Sequence, residues 1–438
     1  MHQNNGAAAM PEFTDHPLRY QLSNELHARP FPTAHAPGRA VYLVVRKENH
    51  AASRDKSEDL AHLIDLLDRY GAAHPQPGAT HHSAQIGKHN LKWESHTEVV
   101  TYSVFMDGLG ERPFDPADFD VFPKDWLASA PGQRVTSALV RVETPPEEER
   151  LSHALQEWFV PESLAVSHVL EGAAIVAGDF RIDPAGHVRF AVFPGEGTGA
   201  SRVGRILQRI CEIELYKSLS MLGFARSREL GPVLGALDDR LSDLMNRMTD
   251  ETVPADETLQ ALLAISAELE AQSATSSFRF GATGAYEAIV LQRIEMLRES
   301  HFNGRQSWHE FMIRRYDPAM RTVKSTERRL ANMAERAMRA SELLRTRIEV
   351  ERSAQNQSQL EAMNKRAELQ LRLQETVEGL SVVAISYYAV SLAGYLAYPF
   401  GKSLGISKEW VLAGLTLPVV LLVAWALHRM RKRLGAQH

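Results

Sequence analysis

The spacing of apolar and polar positions changes along the chain, and each change predicts a different architecture. Between residues 40 and 195 short apolar runs alternate with amphipathic ones. AVYLVVR (40–46) predicts a buried strand, DLAHLIDLLDRY (59–70) an amphipathic helix, and LKWESHTEVVTYSVF (91–105) one or two strands of period two. RVTSALVRVE (134–143) predicts another strand, and 145–158, opened by prolines and acids, a helix whose N-terminus suits that charge. Residues 173–182 and 187–193 predict a hairpin across Asp183-Pro184-Ala185-Gly186. Strands mixed with helices imply an α/β or α+β domain over 39–200.

From residue 201 the spacing is helical and stays so. Val203, Ile206, Leu207, Ile210, Ile213, Leu215, Leu219 and Leu222 keep it, as do Leu234, Leu237, Leu241, Leu244 and Met248, and then Leu259, Leu262, Leu263 and Leu269. These runs predict three antiparallel-capable helices. A fourth starts at Tyr286 and breaks near Asn303-Gly304, completing a helical domain over 201–321. No proline lies between Pro318 and Pro399, so a stalk helix is predicted over 322–379. In it Leu330, Ala334, Ala337, Ser341, Leu344 and Ile348 make a heptad-like seam, and EVERSAQNQSQ (349–359) is polar on every face, which suits water or pairing with further copies.

The C-terminal part is different again. Residues 380–398 carry no charge across nineteen positions, a helix of about 28 Å, close to the hydrocarbon thickness of a bilayer. Residues 410–427 repeat the pattern, with Trp410 and Trp425 near the ends, where amphipathic rings favour the headgroup level. The eleven residues between them, 399–409, force an antiparallel hairpin of two membrane spans over 380–427. The 428–438 tail holds Arg429, Arg431, Lys432 and Arg433, whereas the loop offers Lys402 and Lys408 against Glu409, so both termini are expected on the cytoplasmic side. The opening MHQNNGAAAMPEFTDHP has no apolar core, and no signal peptide is expected. Residues 1–38 read as a polar tail and a short helix, in which Ser23 is a candidate cap and Leu22 and Leu26 share a face before Pro30 and Pro32 stop it.

Composition changes this picture little. The formal charge of -5 with 24% charged residues is ordinary for a soluble domain. A single cysteine, Cys211, excludes an internal disulfide framework and suits a reducing compartment. Residues 293–352 hold fourteen Lys and Arg against nine Asp and Glu. That surplus suits a solvated helix face or contact with anionic lipid, and no nucleic-acid partner is expected.

Two constellations carry candidate chemistry. If WESHTE is a strand, Glu94, His96 and Glu98 share one face and form a carboxylate-imidazole-carboxylate row suited to a divalent cation, the candidate cofactor. Glu25 and His27 are candidates for further ligands, and His74, His81, His82 and His89 crowd the preceding loop. On the stalk and first span, steps from Asn364 meet Gln374, Glu378, Ser381, Tyr388 and Tyr395, a polar stripe entering the bilayer. Polar atoms at that depth face a helix interface or an aqueous path, and copies gathered round an axis would set Glu378 in a carboxylate ring that selects cations. Gly195, Gly197 and Gly199 lack the dinucleotide-binding register and read as a connector. With no G-x-S-x-G or H-E-x-x-H, and Cys211 placed to pack on a helix face, no enzyme is expected.

SNELHARPFP, GRILQRICEIELYKSL, FMIRRYDPAMRTV and RAELQLRLQETVEGLSVVAISYYAVSLAGYL together resemble a bacterial family of uncharacterised membrane-anchored proteins. That resemblance implies the inner membrane as location. The arrangement of a cytoplasmic α/β domain, stalk helix, two spans and basic tail is also similar to the CorA superfamily of divalent-cation transporters. This likeness implies a homo-oligomer, a pentamer by analogy, whose first span lines a pore. Where that superfamily carries Gly-Met-Asn, this chain has Gly394-Tyr395-Leu396, which removes the selectivity element and narrows the path.

Overall fold

The computed structural model describes residues 14–25, 31–250, 253–403 and 407–434. After the short α1 (Arg19–Glu25), the chain runs β1 (Gly38–Arg46), α2 (Lys56–Arg69), β2 (His81–Ile86), β3 (His89–Ser95), β4 (Val99–Asp107), α3 (Lys124–Ala128), β5 (Gln133–Val142), α4 (Glu148–Trp158), β6 (Ala165–Val169), β7 (Ala174–Ile182) and β8 (Val188–Pro194). Long helices follow: α5 (Ala200–Arg247), α6 (Ala255–Met296), the two-residue β9 (Ser300–His301), α7 (Trp308–Phe311), α8 (Asp317–Ser403) and α9 (Lys408–Leu434). The chain divides into two compact units, one of residues up to 250 with 260–339, the other of 251–259 with 340 onward.

In the first unit all nine strands join one mixed sheet in the order β2-β3-β4-β1-β5-β8-β7-β6-β9. Its parallel pair is β5 with β8. β1 lies inside, with Val41 opposite Val104 of β4 and Leu139 of β5. Period two then divides the side chains between two faces. Val41, Leu43, Val45, Leu91, Trp93, Tyr102 and Val104 pack with Leu63, Leu66 and Leu67 of α2, Trp126 of α3 and Leu151 and Leu155 of α4. The alternate residues Tyr42, Lys92, Glu94, Ser103 and Phe105 meet Gln208, Cys211 and Leu215 of α5. A strand buried on both faces needs apolar residues almost throughout, which is why 40–46 reads as an unbroken run.

Under α2 the imidazole of His62 stacks on Trp126 at 3.9 Å. Its Nε2 lies 3.0 Å from the Trp126 carbonyl and its Nδ1 2.9 Å from the Tyr102 hydroxyl. Burial lowers the His62 pKa. The neutral ring therefore donates to the carbonyl and accepts from the hydroxyl, which fixes one tautomer.

Several elements differ from the sequence-based expectation. The three helices expected over 203–222, 234–248 and 259–269, with a fourth from Tyr286, are two continuous ones, α5 and α6. Pro232 stands inside α5 and removes one ladder donor, yet buried Leu230, Leu234 and Leu237 flank it, and their packing outweighs the local cost. The histidine loop contains β2, where His81 pairs with Glu94 and His82 with Trp93. The stalk helix starts earlier than 322, because α7, a π-helical turn at Met312–Tyr316 and α8 run on without a break. Of the heptad-like seam, Leu330, Ala337, Ser341, Leu344 and Ile348 are buried within a single copy. The short N-terminal helix begins at Arg19, with Leu22 exposed; Leu26, His27 and Pro30 lie outside the described residues.

In the second unit α8 continues with residues 351–377 exposed on every side. Two helices, 308–400 and 408–430, are long and apolar enough to cross a membrane by length and composition.

α5 and α6 approach closely at Gly223, where an added Cβ would sit 2.1 Å from Thr283 Oγ1. Gly223→Ala is expected to destabilise the first unit by about 1–3 kcal/mol through overpacking. Thermal unfolding followed by circular dichroism checks this, and Thr283→Ala in the same chain should restore part of the loss.

Candidate functional site

β3 ends at Ser95, and that ending decides the fate of the expected metal row. Glu94 is still in the strand and faces α5, where Lys92 Nζ lies 3.2 Å from its carboxylate and also donates to Gln208 Oε1 at 3.1 Å. His96 follows the strand, beside Tyr216 of α5 at 6.5 Å between ring centres, and lines the same recess as Glu94. That recess encloses about 20 Å³, room for one water. Burial pushes the Cys211 thiol on its wall far above the ordinary range, so it stays protonated and unreactive.

Glu98 lies elsewhere. Its side chain is fully buried in the turn between β3 and β4, where Arg46 from the end of β1 reaches it at 3.2 Å. From α6, Arg279 pairs with both carboxylate oxygens, and the Tyr286 hydroxyl donates to Oε1 at 2.7 Å. Burial alone would raise the Glu98 pKa, but the hydrogen bonds from Arg279 and Tyr286 and the two guanidinium charges outweigh it, and the net shift is downward. Glu98 thus locks α6 to the end of the sheet. The three residues do not converge, and among the described residues no group of three His, Cys, Asp or Glu is placed to hold a metal ion. Glu25 belongs to α1 without a described side chain, and His27 lies outside the described residues. His74 pairs with Asp68 at 2.6 Å and His82 Nε2 donates to the Ala73 carbonyl, 2.9 Å away, so each is engaged locally. His89 opens β3 on the rim of a different cleft.

In the second unit the polar stripe can be placed against α9. An added Cβ at Gly394 would come within 2.8 Å of Leu412 Cδ2, and Ser386 is buried on the same helix. Ser386 and Gly394 therefore mark the side of α8 that α9 covers. Tyr388 lies about 200° round the axis from Ser386. Tyr388 and Tyr395 are 67% and 73% exposed. Asn364 and Gln374 are exposed as well, Glu378 and Ser381 are half-buried, Gln374 Nε2 donates to Glu378 Oε1 at 3.2 Å, and Ser381 Oγ donates to the Val377 carbonyl at 2.8 Å. The hairpin thus leaves Tyr388 and Tyr395 uncovered, next to Ile385 and Leu392, which are exposed too. Sequence spacing found these residues; which side α9 takes was not readable from it.

Removing the Glu98 charge leaves Arg46 and Arg279 facing a buried neutral group, and Glu98→Gln is expected to cost about 3 kcal/mol. Because the folded-state pKa of Glu98 is depressed, its contribution is complete above the unfolded carboxylate value of about 4.3 and is lost as pH falls through the folded value. Denaturant titrations of wild type and Glu98→Gln at pH 7 and pH 3 check both points, since the gap between the two proteins should shrink in acid.

No curated protein matches the chain. The model of one family matches residues 14–434, almost the whole length. The chain belongs to the family described as protein of unknown function, DUF3422.

Proposed function

We propose that this is a membrane-anchored protein that assembles from several copies into a CorA-like ion channel or transporter, with the first apolar helix of each copy lining the path. The observation that supports the reading is the uncovered pair of tyrosines on α8. α9 takes the side marked by Ser386 and Gly394, while Tyr388 and Tyr395 stay exposed. Hydroxyl groups within an apolar helix require partners or water, and one hairpin cannot enclose an aqueous path by itself. Copies arranged round an axis would turn these side chains inward and bring the Glu378 carboxylates into a ring that concentrates cations. The basic residues after the second apolar run place both termini on the cytoplasmic side in this reading.

A second reading is supported by one sequence feature. Gly394-Tyr395-Leu396 stands where the CorA superfamily has its selectivity motif. A hairpin that only tethers the protein as a scaffold or sensor has no need of that motif.

Reconstituted into liposomes, the full chain should pass a monovalent or divalent cation, and Glu378→Ala should lower the flux about tenfold, equivalent to roughly 1.4 kcal/mol in ion occupancy. The mass of the detergent-solubilised particle should correspond to more than two copies. A monomer or dimer without flux for any ion leaves the tether.

A further inference from the structure

A groove of about 800 Å³ lies in the first unit, where α8 passes α5. Its lining includes Arg321, Lys324, Arg328, Arg329 and Arg336 against one acid, Asp238. The helical repeat gathers these cations on one broad side of α8, over about 22 Å of helix. The arrangement of acids around them is uneven. Asp238 is shared, 3.2 Å from Arg329 and 3.0 Å from Arg336. Arg321 pairs with Asp317 at 2.6 Å and Lys324 with Glu287 of α6 at 2.7 Å. Arg328 is exposed and makes no ion pair among the described residues. Five cations therefore meet three acids, and the guanidinium groups keep N–H donors beyond those contacts.

We infer that this groove binds a small phosphorylated anion, of the diphosphate class, whether as a soluble compound or as the headgroup of an anionic lipid. Guanidinium pairs match phosphate oxygens in a bidentate fork, and several of them on one face suit a ligand carrying more than one charge. The size of the groove is that of an ordinary small-ligand site. Asn332 adds a neutral hydrogen-bonding side chain, and buried Met333 supplies an apolar floor. A nucleic acid is disfavoured, because the basic stretch is short and the chain as a whole carries a formal charge of -5. Asp238 acts as an internal competitor: it holds Arg329 and Arg336 in place, and an arriving anion shares them with it.

Calorimetric titration of the full chain in a non-ionic detergent, with pyrophosphate and separately with a short-chain, water-soluble anionic phospholipid, tests this. Saturable binding that weakens with added salt is expected. Arg328→Glu should weaken it about tenfold. Asp238→Asn, which keeps the shape, should tighten it severalfold, a gain that misfolding cannot produce. Binding of pyrophosphate supports a soluble ligand; binding of the phospholipid alone, with the same order of variants, supports a headgroup. No saturable binding of either probe, equal affinity in all three proteins, or a length-dependent preference for an oligonucleotide overturns the site.

Discussion

A sheet with both faces buried is the constraint from which the first unit follows. Its inner strand β1 is almost entirely inaccessible, and neither of its faces can be left to water. α2, α3 and α4 close one side with Leu63, Leu67, Trp126 and Leu155. The other side requires α5, and the first half of that helix accordingly carries a long apolar face: Val203, Ile206, Leu207, Ile210, Ile213 and Leu215 are all buried. A helix committed to covering the sheet over so many residues continues with little further cost, since each added residue gains a hydrogen bond for the two dihedrals it fixes.

The same burial governs the charged groups. On the α5 side the polar residues that face the helix are satisfied across the layer. Thr136 of β5 donates to Glu214 at 2.9 Å, Lys217 lies 2.9 Å from the same carboxylate, and Lys92 joins Glu94 to Gln208. Glu98 does this at the end of the sheet, for Arg46 and Arg279 at once. On the opposite side Arg54 pairs with buried Asp59 and donates to the carbonyls of His96, Thr97 and Val99, which holds the β3–β4 turn in shape. Such pairs add little net stability compared with apolar replacements, but breaking one is costly, so they fix which element meets which. Groups that carry chemistry elsewhere are thereby committed to structure here: His62 is held neutral, Cys211 protonated and Glu98 ionised.

The second unit follows a different rule. Its exposed residues include Leu380, Tyr387, Leu396, Trp410, Leu417 and Leu422. So much uncovered apolar surface does not persist in water, and a lipid environment or further chains remove the penalty. The close approach at Gly394 lets the two apolar helices pack, as small residues do where no hydrophobic drive exists between helices.

The sequence by itself determined the classes of element and their order. Short apolar runs marked 40–46 and 134–143, period two marked 91–105, helical spacing marked the region after 200, and the absence of charge marked the last two helices, because each signal is local and extends over many residues. It did not reveal β2, β6 or β9, whose residues are polar or few and become strands only through pairing, β2 with β3, β6 with β7 and β9 with β6. It also separated the runs 203–222 and 234–248, which are one helix, α5: Pro232 stands in the stretch between them, and burial of the leucines around it overrules its local preference against helix. The site residues show the same division. The row of Glu94, His96 and Glu98 was visible as spacing, but only tertiary structure decided that the strand stops at Ser95 and that Arg46, Arg279 and Tyr286, drawn from distant parts of the chain, claim Glu98. Spacing reports which side chains share a face; what lies opposite that face is a property of the folded chain.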